Sequence, residues 1–352
     1  MLAGAVSVAP ADLAEPSVAA ELDRWICAQP ESAPFHRPAW VSAVARGTGQ
    51  QALMLVSRRD GAITGVLPLN LIHSPLFGRA LVSSGFAVDG GILAKDADAT
   101  RALADACWRI AQERHCPTAE LRGGVFPAEG WVLKRDSYLG FAKPLEADDE
   151  AQLAAVPKRH RAEIRKGLAN DLDIEIGRDV RLLDIHYRLY AQSVHRLGTP
   201  VFPKRLFAEV LAAFGDDADI LLVSKGGKPL SSILTLYHRY RCMPYWLGAS
   251  AAARAMRANE VANFRLMSHA RSRGCAIFDF GRSKVGTGPA AWKKTWGWEG
   301  VPLTYAVRAA PGHEPRDINP LSPQYQRKIE LWKRLPLPLA NLIGPYIARG
   351  LG

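Results

Sequence analysis

Hydrophobic and polar residues in the first half of the chain follow a pattern that predicts short strands around one helix. Residues 52–57 and 63–71 are strand-like runs, and the turn between them contains Gly61, which tolerates the positive φ of a tight hairpin. Residues 100–115 carry apolar side chains at the spacing of one helical face, and a short strand is predicted at 119–122. The predicted order is strand, turn, strand, helix, strand.

The second half of the chain repeats this order. The run 223–225 aligns on 56–58, and with the same offset 230–236 aligns on 63–69; a glycine-containing turn joins each pair. The helix and strand that follow are predicted over 254–273 and 275–280. The repeat predicts a duplicated α/β unit, although two amphipathic hairpins can also resemble each other by chance.

Composition shifts suggest three parts. An acidic stretch at 146–150 precedes a basic helix, so we predict a first lobe over 1–150 and a second over 151–310. Residues 311–352 are predicted to form a tail that packs across the lobes. It begins with an extended stretch containing several prolines and continues as an amphipathic segment over 325–334; the prolines are Pro311, Pro315, Pro320 and Pro323.

Composition and charge narrow the class of protein. The 352 residues are 48% hydrophobic, enough for two globular cores, which argues against a disordered or fibrous chain. Lysine and arginine number 45 against 34 acidic residues, giving a net charge of +11. This excess favours anionic partners such as phosphates, nucleic acid or a membrane surface.

The spacing of the cysteines and histidines matches no redox or metal-binding motif. The five cysteines form no C-x-x-C pair and the nine histidines form no metal-binding motif, so we expect reduced thiols and no metal site. The beginning of the chain lacks the pattern of a signal peptide, and no apolar run is long enough to cross a membrane. These features predict a cytoplasmic protein.

The segment 278–298 is the most informative for chemistry. A predicted strand delivers Asp279 and then Arg282 into a glycine-rich loop, where Asp279 could act as a base or orient a neighbouring donor. The nearby cations could bind phosphate or stabilise an oxyanion; they are Arg282, Lys284, Lys293 and Lys294. The alternative is that the tryptophans are core residues and the lysines a solvated face; we favour a binding surface. The tryptophans are Trp292, Trp296 and Trp298.

Two other segments are candidates for ligand binding. Lys158, Arg161 and Arg165 lie along one stripe of a predicted basic helix, which could hold polyphosphate or simply be a solvated face. The rigid loop 197–203 suits packing or the lining of a substrate channel equally well. Residues 281–286 have Walker A spacing, but threonine follows where lysine is required, which argues against a nucleotide triphosphatase.

The chain resembles the FemABX-like branch of the GNAT acyltransferase superfamily, in particular FemAB-related proteins of exosortase (PEP-CTERM) and exopolysaccharide systems. The resemblance is carried by Phe278-Asp279-Phe280-Gly281-Arg282-Ser283 and by Trp292-Lys293-Lys294-Thr295-Trp296-Gly297. It extends to the basic helix, to the loop 197–203 and to the tail. It implies an α/β fold of two tandem GNAT-like lobes, each with a mixed central sheet flanked by helices.

The resemblance also implies a function. It predicts transfer of an acyl or aminoacyl group to an amine, with acyl-CoA or aminoacyl-tRNA as co-substrate and no permanently bound cofactor. In characterised relatives the lysine after the aromatic residue is important for catalysis, and here that position is Lys293. The chain lacks both the long helical arm of the bridge-building enzymes and the Arg-x-x-Gly-x-Gly loop of simple acetyltransferases. The sequence therefore does not decide between acyl-CoA and aminoacyl-tRNA as the donor.

We therefore expect a cytoplasmic N-acyltransferase that acts on an amine-bearing envelope or exopolysaccharide precursor. The expected partners include the inner face of the membrane, where the protein could bind peripherally, but not DNA. Lys293, Asp279 and Arg282 are the expected catalytic residues. Donor or substrate contacts are expected from Lys158, Arg161, Arg165, Ser283, Lys284, Trp292, Lys294 and Trp296. The competing interpretation is a non-catalytic scaffold of the same fold that binds polyanions or the membrane surface.

Overall fold

The computed structural model describes residues 4–74, 78–314 and 323–352. The strands of these ranges are, in chain order, β1 (Ser7–Pro10), β2 (Gln51–Arg59), β3 (Ala62–Ser74), β4 (Gly78–Ser83), β5 (Leu93–Ala94), β6 (Thr118–Arg122), β7 (Val132–Lys134), β8 (Tyr138–Pro144), β9 (Asp173–Gly177), β10 (Ala218–Lys225), β11 (Lys228–His238), β12 (Arg241–Ala249), β13 (Ile277–Lys284), β14 (Val301–Pro302) and β15 (Tyr305–Ala309). The α-helices are α1 (Pro16–Ala28), α2 (Pro38–Thr48), α3 (Ala97–Glu113), α4 (Asp149–Ala155), α5 (Lys158–Leu168), α6 (Val180–Leu197), α7 (Lys204–Phe214), α8 (Ala258–Ser272), α9 (Gly288–Thr295), α10 (Pro323–Arg334) and α11 (Leu337–Ala348).

The strands form two mixed sheets. The first has the order β1-β2-β3-β4-β6-β15-β7 with β5 beside β3, and the second has the order β14-β8-β13-β12-β11-β10-β9. Each sheet contains one parallel pair, β4 with β6 and β12 with β13, whereas the other pairs of these strands are antiparallel. Helix α3 packs on the first sheet, and α6 and α8 pack on the second. The predicted α/β class, with two mixed sheets flanked by helices, is confirmed.

The two predicted hairpins are present, and their turns have the same geometry in the two halves of the chain. Asp60 and Gly61 have φ of 52° and 80°, and Gly226 and Gly227 have φ of 54° and 73°. Positive φ at both central residues matches a tight hairpin turn, which glycine adopts without strain. Since these turns are equivalent, the true offset between the halves is one residue smaller than the sequence alignment assumed. A one-residue slip reverses which face each strand residue points to.

The predicted helix over 254–273 is shorter than expected. Residues Ala251–Arg254 form a 3₁₀ turn, and Arg257 has a φ of 55°, which interrupts regular helical geometry before α8 begins at Ala258. The helix predicted over 100–115 corresponds to α3, which begins earlier, where the side chain of Asp96 accepts a hydrogen bond from the backbone of Ala99 at 2.8 Å. Such a side-chain bond caps a free N–H of the first turn.

The two sheets exchange strands. β8 precedes residue 150 in the chain but pairs with β13 and β14 in the second sheet. β15 returns from the second lobe to pair with β6 and β7 in the first sheet. The division at residue 150 remains a prediction, and the crossing strands tie the two lobes together on either side of it.

A shared hydrophobic core also joins the lobes. Trp40 of α2 is fully buried, stacks on Trp246 of β12 with ring centroids 6.0 Å apart, and donates its indole N–H to the carbonyl of Gly85 at 3.1 Å. Phe207 of α7 packs against the same Trp246 ring at 4.4 Å. The same apolar cluster includes Val82 of the first sheet and Leu234 of the second, so the core is continuous between the lobes.

The amphipathic segment predicted in the tail forms helix α10, and a second helix, α11, follows it. Pro315 and Pro320 lie outside the described residues. Both helices pack against α6, as the expected strap would. Within the described ranges, no helix has the length and apolar content that crossing a membrane requires.

Candidate active site

The first part of the glycine-rich segment after Phe280 belongs to a strand, and only residues 285–287 form a turn. β13 continues through Lys284 and pairs with β8 on both sides of a register shift between Asp279 and Arg282. Gly281 lies in this bulge with a φ of 65°, a conformation that side chains rarely adopt. The expectation that the strand ends at Phe280 is therefore wrong, because the bulge absorbs the glycine and lets pairing resume. The bulge also changes the direction in which the side chains after it point.

Lys293 fills the space behind the bulge. Its ammonium donates to the carbonyl oxygens of Phe280 at 2.6 Å, Arg282 at 3.0 Å and Gly281 at 3.2 Å. Its side chain is buried, and this burial lowers the pKa of Lys293 to about 8 although Asp279 acts in the opposite direction. An ammonium has three N–H donors, so all of them are used by backbone acceptors.

Asp279 lies at the start of the bulge, on the side of Arg241. Its carboxylate accepts the backbone N–H of Gly281 at 2.8 Å and approaches the guanidinium of Arg241 at 3.6 Å. Burial raises the pKa of Asp279 above its ordinary value, against the lowering effects of Gly281 and Arg241. These contacts fix the backbone of the bulge.

Arg282 points into the space between the two lobes. Its Nη1 donates to the hydroxyl of Tyr305 at 2.6 Å, and that hydroxyl donates to the carbonyl of Val88 at 2.9 Å. The guanidinium carbon also lies 4.5 Å from the ring centroid of Tyr138. A guanidinium that is stacked and hydrogen-bonded in this way is held in one orientation.

A cavity of about 500 Å³ occupies this space. Its lining is mainly apolar, with polar groups converging from both lobes, as small-molecule sites usually show. The residues with charged or hydroxyl side chains are Thr118, Glu120, Arg122, Lys134, Ser137, Tyr138, Thr199, Arg282, Lys284, Tyr305, Tyr325 and Lys328. Glu120 is bound by Arg122, whose Nε lies 2.7 Å from the carboxylate. The loop over 197–203 contributes to the wall, which supports the channel-lining alternative.

Sequence reasoning missed several residues of the cavity wall, including two that arrive through the strand exchange. Glu120, Arg122, Tyr138 and Tyr305 all line the cavity. The available signal was the internal repeat: in both halves the strand after the helix contains an acid followed by an arginine, Glu120 and Arg122 in β6 and Asp279 and Arg282 in β13. No such signal marks Tyr138 or Tyr305, because they reach the site through the strand exchange.

The tryptophans and the neighbouring lysine occupy different environments. Trp296 is 1% exposed within the core of the second lobe, where its ring centroid lies 5.8 Å from that of Phe280. It is a core residue rather than part of a binding surface. Trp292 is half-buried beside it, and Lys294 is exposed. Ser283 is buried, and its hydroxyl has no partner among the described residues.

The basic helix lies apart from the cavity. Lys158 and Arg165 of α5 are exposed, Arg161 is half-buried, and none of the three forms an ion pair with the described part of the chain. The helix packs against the start of α8, where Glu163 pairs with Arg257. The structure thus separates two cationic sets, one in the cavity and one beside α8.

The parallel strands of the second sheet pair over only a short stretch. β12 and β13 pair at Arg241–Ile277 and Cys242–Phe278, and the pairing ends there while both strands continue. Two mixed sheets, each with such a short parallel contact, and a cavity between them define the tandem GNAT fold. The predicted tandem architecture is confirmed.

Comparisons with known proteins agree with this class. Residues 154–294 match the family described as the acetyltransferase (GNAT) domain. The chain is similar to the crystal structure of FemX, with 16% identity, a TM-score of 0.66 and coverage of 90% of this chain and 98% of that chain. It is also similar to a tandem GNAT protein from the clavulanic acid biosynthesis pathway, with 12% identity, a TM-score of 0.55 and coverage of 88% and 100%. No curated protein matches the chain.

Proposed function

We propose that this protein is an N-acyltransferase that joins an acyl or aminoacyl group to an amine bound in the inter-lobe cavity. The observation that carries the proposal is the guanidinium of Arg282, fixed by Tyr305 and Tyr138 at the wall of a cavity in a tandem GNAT fold. The match of residues 154–294 to the acetyltransferase domain supports the same reaction class.

The chemistry requires a neutral amine, a proton acceptor and a donor for the oxyanion. The amine nitrogen forms a bond to the acyl carbon, and the bond to the thiol sulfur or tRNA oxygen breaks, so the leaving group takes a proton as the amine loses one. Arg282 can stabilise the developing oxyanion or hold an anionic group of the acceptor. Glu120, a carboxylate in the cavity wall, is suited to receive the amine proton.

The donor is proposed to enter from the side of the basic helix. Lys158, Arg161 and Arg165 have no ion-pair partners in the described part of the chain and lie on the helix that packs against the start of α8. Unpaired arginines next to a helix N-terminus favour phosphate groups, which both acyl-CoA and aminoacyl-tRNA carry. The cavity would then hold the acceptor on the opposite side of β13.

Lys293 is assigned a positioning role in this proposal. Its three donors hold the carbonyls of the bulge, and one of those carbonyls belongs to Arg282. Direct stabilisation of an oxyanion would require one of these bonds to break. We expect Lys293→Ala to lower kcat by roughly 100-fold, and in this proposal the loss arises through Arg282.

The finer assignment rests on the sequence motifs. Their resemblance to proteins of exosortase and exopolysaccharide systems suggests an amine-bearing envelope or saccharide precursor as acceptor. The same resemblance and the net charge of +11 suggest a cytoplasmic protein that associates peripherally with the membrane.

The test is turnover by the purified full chain. Acyl-CoA thioesters or aminoacyl-tRNA are incubated with amino sugars and other amines, and free thiol, released tRNA and amide product are measured. Arg282→Ala should remove turnover, whereas Arg109→Ala, which removes a cation of α3 that is 65% exposed, should retain it. Absence of turnover and of thermal stabilisation by both donors would contradict the proposal and favour a non-catalytic scaffold.

A further inference from the structure

Helix α11 presents an apolar stripe to the surface. Leu339, Leu342 and Tyr346 are 43%, 67% and 68% exposed, and they follow one another at three- and four-residue spacing. Residues with this spacing lie on one side of a helix. We call these three residues the α11 stripe. Such a contiguous exposed apolar face is uncommon on a surface that contacts only water.

The opposite side of α11 is bound to the protein. Ala340, Gly344 and Ala348 are buried, and a Cβ on Gly344 would lie 3.1 Å from the backbone nitrogen of Val201. Small residues here allow the helix to approach the loop that lines the cavity. The α11 stripe is therefore held rigidly outward, and it cannot turn into the core without losing this contact.

Cations surround the stripe. Lys333 and Arg334 end the preceding helix, and Arg349 follows the stripe with its guanidinium carbon 5.9 Å from the ring of Tyr346. Across residues 323–352 there are five lysines and arginines and one acidic side chain. Helix α10 adds an exposed leucine between arginines, since Leu331 is 67% exposed and lies between Arg327 and Arg334 at helical spacing.

We propose that the α11 stripe and its flanking cations dock on the surface of a bilayer that contains anionic lipids. An exposed stripe of leucine and tyrosine bordered by arginine and lysine matches a helix that lies in the plane of a membrane interface. Leucine side chains enter the acyl boundary, tyrosine places its hydroxyl at the headgroups, and the cations pair with lipid phosphate. A neutral protein surface would cover the apolar stripe without using these cations.

The same helices form part of the cavity wall. Ile329 and Trp332 of α10 and Ile347 of α11 line the cavity. A membrane bound at the α11 stripe would therefore lie next to the proposed acceptor site. This inference rests on the proposed function in one respect, the peripheral association with the membrane. Its test measures lipid binding and does not require turnover.

The experiment compares two variants of the full chain that each add one negative charge. Leu342→Glu changes the α11 stripe, whereas Val180→Glu changes a residue that is 74% exposed at the far end of α6. Binding is measured by co-sedimentation with vesicles of equal parts phosphatidylglycerol and phosphatidylcholine, and with phosphatidylcholine vesicles alone. We expect Leu342→Glu to weaken binding to the anionic vesicles by about tenfold or more, and Val180→Glu to leave it unchanged. Binding should also decrease with added salt.

Three outcomes would overturn the proposal. Equal binding by both variants would mean that the overall charge of +11, not the α11 stripe, attracts the vesicles. Absence of binding by the unmodified chain would exclude the membrane directly. A dimer seen by light scattering that Leu342→Glu dissociates, without vesicle binding, would make the stripe a contact between two copies. Acyl transfer to a soluble amine could persist in each case. A negative result for lipid binding would therefore not contradict the proposed acyltransferase function.

Discussion

Arg282 and Tyr305 connect the two β-sheets through a hydrogen bond of 2.6 Å between Nη1 and the phenol oxygen. Arg282 belongs to β13 of the second sheet, and Tyr305 belongs to β15 of the first. The chain brings them together because β15 returns to the first sheet after α9. A single contact therefore links the orientation of the lobes to the orientation of the guanidinium in the cavity.

We predict that Tyr305→Phe lowers the free energy of unfolding by about 1.5–3 kcal/mol, the usual value for a hydrogen bond to a charged group. The phenol bridges Arg282 and the carbonyl of Val88, and phenylalanine fills the same volume without either bond. Urea unfolding measures the loss. Tyr240→Phe is the matched control, because Tyr240 is 64% exposed, and it should change stability by less than about 0.5 kcal/mol. Equal stability of the two variants would show that the bridge contributes nothing.

We predict that Lys293→Met destabilises the fold more at pH 10 than at pH 7. Burial lowers the pKa of Lys293 from 10.5 to about 8, so between these values the unfolded chain binds more protons than the folded one. The free energy of unfolding of the unmodified chain therefore rises with pH across this window, by up to about 3 kcal/mol, relative to a variant without the amine.

The measurement is urea unfolding of both proteins at pH 7, 8, 9 and 10. Lys294→Met is the control, since Lys294 is exposed on the same helix and should give the same pH dependence as the unmodified chain. A destabilisation by Lys293→Met that does not change with pH would contradict the burial of its charge.

We predict that Arg161→Ala combined with Arg165→Ala raises the donor KM by about tenfold or more and leaves the acceptor KM nearly unchanged. Arg159→Ala with Lys166→Ala removes two cations from the same helix outside the predicted stripe, so it controls for charge alone. Both kinetic constants are measured at low and high salt. If the two double variants behave alike, α5 attracts the donor only through its general charge.

We predict that Gly248→Ala lowers the free energy of unfolding by about 1–3 kcal/mol, the usual effect of overpacking. A Cβ at this position of β12 would meet the backbone nitrogen of Tyr190 in α6, which has no room to move without shifting the helix. Gly288→Ala is the control, because a Cβ there would meet no other atom within 4 Å. Thermal unfolding of both variants tests the prediction, and equal melting temperatures would refute it.

Sequence patterning was sufficient for the local structure. The hairpins around Gly61 and around Gly226-Gly227 follow from strand-like runs and turn chemistry within a few residues of one another. The helices α3 and α5 follow from apolar or cationic spacing along one face. These features depend on neighbouring residues, and their periods of two and 3.6 are properties of the backbone itself.

The bulge at Gly281 and the role of Lys293 needed the tertiary structure. A glycine-rich sequence is compatible with a loop or with a bulged strand, and only pairing with β8 decides between them. The three carbonyl partners of Lys293 exist only because that bulge turns them toward α9. Likewise, the burial of Trp296 depends on core rings that are distant in sequence.

By itself, the sequence determined two α/β units, their hairpins and the residues of the Asp-Phe-Gly-Arg-Ser segment. Only the tertiary structure decided that Arg282 would meet Tyr305, that Glu120 would share its cavity, and that the α11 stripe would remain exposed. The physical reason is that strand exchange and helix docking join residues far apart in the chain. Such contacts are selected by the total packing of the core, which no local pattern encodes.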